Sequence, residues 1–133
     1  MRGSMRVVSQ RELAEKAREA RAKSLKKQAD QYLPYRLAFL AKKYGFSYTL
    51  GKIGLKKTRW GSCTSKGVVS LNSGLMAIPK SEDGFPHPLI DYVIIHELCH
   101  LRHMNHSAAF WAEVKKYDPL YLEHRRRLKK IQP

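Results

Sequence analysis

Four residues in the stretch from Ile90 to Trp111 carry chemistry: His96, Glu97 and His100 form the pattern H-E-x-x-H, and His106 follows six residues after the second histidine. On an α-helix, residues four apart share a face at about 6 Å, so His96 and His100 can bring neutral imidazole nitrogens to one metal ion. Glu97 then stands beside the ligands without being one. From there it can take a proton from a water on the metal, the general-base task in a zinc-dependent hydrolase.

The element that must position these residues is itself unusual. From Leu89 to Leu101, nine of thirteen residues are apolar with Tyr92 and Cys99 counted, so the helix reads as buried nearly all round. A buried His-Glu-His group is costly unless paired or bound to a metal. Pro88 opens this helix and Asp91 in its first turn complements the dipole. It is expected to end near Met104, with Asn105 turning the chain to return His106 to the metal.

The spacing of His96, His100 and His106 equals that of the metzincin pattern H-E-x-x-H-x-x-G-x-x-H, with His103 in place of its glycine. His103, Glu113 and Glu123 are the competing third ligands, and His106 is the leading one. Three ligands from one straight helix would make a poor tetrahedron, which disfavours His103. Glu113 would supply a carboxylate from a following helix.

At 133 residues the chain has room for one domain with a real core. Met-Arg-Gly-Ser before Met5 reads as an added leader and takes no part in the fold argument. No signal peptide follows, and no apolar run reaches the roughly eighteen residues of a membrane span, so a cytoplasmic, monomeric protein is expected. Two cysteines, Cys63 and Cys99, are too few for a disulfide scaffold and are expected to be reduced. Twenty-six Lys and Arg against eleven Asp and Glu give a net charge of +15. Such a balance fits either solubility or sequence-independent contact with nucleic acid, with Arg125, Arg126 and Arg127 as candidate phosphate contacts.

Taken in order, the chain divides into a basic N-terminal helix in 5–30 and a catalytic domain in 31–133. Ser9 and Glu12 form a capping box for a helix to about Ala29 that has little to bury. A second helix, Tyr32 to Tyr44, has Pro34 near its first turn, a core face of Leu33, Leu37, Leu40, Ala41 and Tyr44, and a stop at Gly45. Between Ser47 and Asn72 the pattern predicts two or three antiparallel strands with a hairpin at Ser65 to Gly67. A short helix at Leu75 to Ile78, a loop at Ser81 to His87, a helix from Ser107 to Tyr117 with Phe110, Trp111 and Val114 inward, and a last helix from Pro119 to about Lys130 complete the reading. The fold class is α+β: a compact zincin-like domain with a small antiparallel sheet packed on a buried motif helix and flanking helices.

Four blocks in this order, Arg59-Trp60-Gly61-Ser62-Cys63, Ser70-Leu71-Asn72, Ile90 to Leu101, and Asn105-His106-Ser107 with Phe110-Trp111, resemble the YgjP-like metal-dependent hydrolases, relatives of the SprT-like metallopeptidases. The resemblance spans about Leu33 to Leu128. It implies a zinc-peptidase domain with His96, His100 and His106 as ligands and Glu97 as the base, reduced to a minimal catalytic core. The expected function is hydrolysis of a peptide or protein substrate by a zinc-activated water. Trp60, Gly61, Ser62 and Asn72 are the candidate substrate contacts, because an extended peptide can pair with a strand edge at Trp60 to Cys63 or at Val68 to Asn72. Tyr117 and Tyr121 can donate to an oxyanion, although a structural role suits each better. Two other readings stand beside this one. A nucleic-acid-associated module with structural zinc would close the fourth position with Cys63 or Cys99. A zinc hydrolase of a non-peptide bond would share every site residue.

Overall fold

A computed structural model describes residues 7–79 and 87–131; the residues expected to be a leader and most of the expected loop before His87 fall outside them. Its first element, α1, runs from Gln10 to Tyr44. The Ser9 hydroxyl accepts from the Glu12 N–H at 3.1 Å, as the capping box predicts. Gly45, at φ 76°, closes the other end in the left-handed conformation.

Two helices were expected here and there is one, with Pro34 inside it. Proline removes one i to i−4 hydrogen bond and crowds the preceding turn, which is why the sequence suggests a break. The stripe Ala29, Leu33, Leu37, Leu40 and Ala41 is buried on both sides of Pro34, and this shared packing holds the two halves in one line. Arg36 adds a bidentate pair to Asp91, both distances 2.8 Å. From Gln10 to Gln28 no residue is buried, so the first half of α1 projects as an arm.

The sheet contains β1 (Leu50–Gly54), β2 (Gly61–Cys63) and β3 (Val68–Asn72), in the order β1-β3-β2. The β2–β3 hairpin is antiparallel as expected, and its turn carries Gly67 at φ 84°. β1, however, pairs with β3 in parallel, from Leu50 opposite Val68 to Gly54 opposite Asn72. This corrects the all-antiparallel expectation. Residues 55–67 form a crossover long enough to return the chain in the same direction, and alternation of side chains reports faces, not strand direction.

Asn72 then caps a 3-10 turn, Ser73–Ala77. The motif helix, α2, spans Pro88–Cys99, its first turn capped by His87, whose Nδ1 accepts from the Leu89 N–H at 3.1 Å. It ends earlier than the expected Met104: the His100 and Leu101 N–H groups bond three residues back, to Glu97 and Leu98, tightening the last turn. α3 (Ala108–Tyr117) starts from a Ser107 cap, and α4 (Tyr121–Lys129) follows the break at Asp118-Pro119. Asp118 locks that corner, since its Oδ1 accepts from the Leu120 N–H and its Oδ2 lies 2.7 Å from His124 Nδ1.

α2 is the centre of the core. Nine of its twelve residues are buried, with α1 and the sheet on one side and α3 and α4 on the other. Among the described residues, no helix is long and apolar enough to cross a membrane.

Candidate metal centre

His96 and His100 project from the end of α2, and the turn before α3 returns His106 beside them. One ring nitrogen from each lies within 4.8 Å of the others. The turn's geometry follows from two local bonds. The His100 Nδ1–H donates to the His103 carbonyl at 2.9 Å, holding the turn against the helix end, and the Ser107 cap starts α3 at once. Phe110 and Trp111 therefore fall in the first turn of α3, directly against the histidines. Phe110, fully buried, stacks on the His100 ring at 4.4 Å and meets His96 and His106 edge-on at 5.0 Å each. Trp111 stacks on His106 at 5.7 Å.

The donor set suits a metal ion. Donation from His100 Nδ1 fixes the tautomer and leaves its Nε2 lone pair for a ligand bond. Desolvation first, then the neighbouring His96 and His100, hold the His106 imidazole below its ordinary pKa, which favours the neutral form that can coordinate. Glu97 is buried, and its Oε2 lies 3.3 Å from His96 Nδ1 with no lysine or arginine paired to it among the described residues. A carboxylate removed from water in this way calls for a cation nearby. Among the described residues no other three His, Cys, Asp or Glu side chains converge in this manner.

The competing ligands are engaged elsewhere. Glu113 turns away from the cluster to Arg102, with which it makes a short ion pair, and to His103 Nε2 at 3.3 Å. Tyr117 places its hydroxyl in the same network, 3.2 Å from Arg102, and packs on Tyr44, so it does not face the site. Glu123 is exposed on α4, and Tyr121 stacks on the outer side of Trp111 at 5.6 Å. Neither thiol joins the cluster. Burial, then the Glu97 charge, pushes the Cys63 thiol up to about 11, and burial first of all pushes Cys99 up to about 12.

Sheet and site meet at Gly61. A Cβ there would stand 3.0 Å from Glu97 Cγ and from the Ser70 carbonyl oxygen, so glycine lets β2 lie this close to the Glu97 side chain without displacing it. β2 is an edge strand. Trp60 and Thr64 take the hydrogen bonds to β3, which leaves the backbone groups of Gly61 and Cys63 on the outer side. Val68 to Asn72, the other segment considered for peptide pairing, is the central strand with both edges occupied. Asn72 is likewise corrected as a substrate contact. It is wholly buried, its Nδ2 donates to the Lys56 and Arg59 carbonyls, and its Oδ1 accepts from the Gly74 N–H. Its work is to shape the loop that carries Arg59 and Trp60. Ser62 accepts from Lys56 Nζ at 2.9 Å while lining the site.

Two depressions flank the cluster, of about 420 Å³ and about 400 Å³, sharing Arg59, Gly61, His96 and Glu97 as their common wall. Of the three consecutive arginines on α4, Arg125 lies over the Trp111 ring at 5.0 Å. Arg126 is exposed and Arg127 half-buried. Successive helical positions differ by about 100°, so the three do not share a face. The sequence did not single out Arg125 for the site, nor Tyr92, whose ring lies 5.9 Å from His96; a periodicity reading makes the first surface and the second core.

An α+β domain whose buried central helix and following turn present a histidine triad defines a zincin-like domain. Residues 2–131 match the YgjP-like, metallopeptidase domain family, and the chain belongs to it. Among solved structures it is similar to the metallopeptidase zymogen jannalysin of Methanocaldococcus jannaschii, with a TM-score of 0.60 at 18% identity, covering 75% of this chain and 96% of that one. That likeness is one of fold. No curated protein matches the chain.

Proposed function

We propose that this chain is a zinc-dependent peptidase that hydrolyses a peptide bond with His96, His100 and His106 as ligands and Glu97 as the general base. The observation that carries the reading is the convergence of three imidazoles beside a buried carboxylate that has no Lys or Arg partner among the described residues. His96, His100 and His106 would hold the zinc ion, which would supply the Lewis acidity that activates a water and polarises the scissile carbonyl. Glu97 accepts the proton of the attacking water and delivers it to the leaving amine. An extended substrate pairs with the outer backbone groups of Gly61 and Cys63, which sets its carbonyl across the common wall of the two depressions. Trp60 immediately precedes β2 and Ser62 lies within it, whereas Gly61 supplies clearance. Two free thiols support a reducing, cytoplasmic setting.

Replacing Glu97 with Gln tests the division of labour. Hydrolysis of a casein or peptide substrate should fall by a factor of about 10² or more, as expected for a lost general base, while zinc content and melting temperature stay at wild-type values. Loss of the metal on that substitution would make Glu97 a ligand and defeat the mechanism.

A further inference from the structure

The larger of the two depressions has a composition that the hydrolytic chemistry does not require. Its walls are the apolar and aromatic side chains Trp60, Tyr92, Val93, Leu128 and Ile131, with His96 and Glu97 at the inner end. Its mouth carries Arg59, Arg125 and Lys129, all exposed. None of these three cations is in an ion pair among the described residues, and Glu97 is the one carboxylate on the wall. Arg125 is held toward the cleft by its seat over Trp111.

An apolar cavity next to the reacting centre with a triply cationic mouth is complementary to one kind of ligand. We propose, resting on the peptidase reading, that this cavity is the specificity subsite and selects peptides that place a bulky apolar side chain next to a carboxylate. The apolar side chain fills the space between Trp60, Tyr92 and Leu128, and the carboxylate meets Arg59, Arg125 and Lys129 at the mouth. That carboxylate is supplied either by an Asp or Glu side chain or by the substrate's own C-terminus. Arg59 and Trp60 belong to the loop shaped by Asn72, while Arg125, Leu128 and Lys129 come from α4, fixed by the Asp118–His124 pair. The subsite therefore forms where two independently anchored elements face each other across α2.

Binding to the full chain carrying Glu97→Gln and loaded with zinc tests this without turnover. Fluorescein-labelled peptides would share one sequence apart from Leu or Ala at one position and Glu, Gln or Lys at the next, with an added pair ending in a free carboxylate or an amide. The Leu-Glu peptide should bind about tenfold more tightly than Leu-Lys at low salt, and exchange of Leu for Ala should weaken binding by about the same factor. Arg125→Glu with Lys129→Glu should reverse the charge preference, and Lys129→Glu alone should diminish it should the double variant fail to fold. A preference carried by the free terminus or by the Glu side chain identifies the source of the carboxylate, and either supports the subsite. Equal affinity for Glu and Lys peptides, or an unchanged preference in a folded charge-reversed variant, would overturn it. Since binding is read on an inactive variant, selective binding by a protein that cleaves no peptide would sink the peptidase reading alone.

Discussion

α2 and the first half of α1 both lack an amphipathic stripe, for opposite reasons. α2 is surrounded by protein, and apart from Asp91 in its first turn its polar residues stand at the end that carries the histidines and Glu97. The arm from Gln10 to Gln28 is surrounded by water and holds seven lysines and arginines against three glutamates. The buried helix is helical because tertiary packing holds it. The arm relies on the Ser9 cap, its alanines and pairs such as Lys26–Asp30 at 2.7 Å. Chemistry that depends on sub-ångström placement lies on the first element, and charge that needs no fixed geometry lies on the second.

The contrast breaks if the two helices respond alike to truncation. Ile94→Ala, at a fully buried position of α2, should cost about 2–5 kcal/mol of unfolding free energy. Leu13→Ala in the arm should change it by no more than about 0.5 kcal/mol. Chemical denaturation of both variants measures the difference, and a comparable loss for Leu13 would mean that the arm packs on something.

A smaller effect sharpens the account of the site. Trp111 touches His106 and makes no ligand bond, so Trp111→Ala should weaken zinc affinity by about 10- to 100-fold in chelator competition while leaving the fold intact. Trp111→Phe should recover much of it, and unchanged affinity in the alanine variant would remove the stacking from the argument.

How much of this was legible in the sequence follows the range of the interactions. His96, Glu97, His100 and His106 lie within eleven consecutive residues, and Phe110 and Trp111 come in the next turn, so their spacing alone placed them together. The Asp118-Pro119 break and the hairpin at Gly67 were equally local. What escaped was long-range. The continuity of α1 through Pro34 depends on a core face that spans the proline, and the parallel pairing of β1 depends on a partner a crossover away. Asn72 has a polar side chain that suggests a contact with substrate, yet its bonds reach back to Lys56 and Arg59. Arg125 sits in a run of three arginines, and only the position of Trp111 distinguishes it.

The least effect concerns the arm's charge. We propose that the basic surface engages phosphate backbones without sequence preference, and reversal of Arg18, Arg21, Lys23 and Lys26 to glutamate should reduce nucleic-acid affinity and flatten its salt dependence between about 50 and 200 mM. Arg126→Glu, on the exposed side of α4, provides the comparison at the other end of the chain. Absence of binding by the unaltered protein at low salt would make the charge a matter of solubility.

The central claim, that His96, His100 and His106 together hold zinc beside Glu97, is most directly tested by zinc K-edge X-ray absorption on the purified chain with a measured metal stoichiometry. One zinc per chain is expected, with three imidazole nitrogens at about 2.0–2.1 Å, one light oxygen scatterer and no sulfur. His106→Ala should remove one imidazole from the fit, whereas Glu113→Ala should leave it unchanged. A sulfur shell at about 2.3 Å, or an imidazole count that survives loss of His106, would contradict the account.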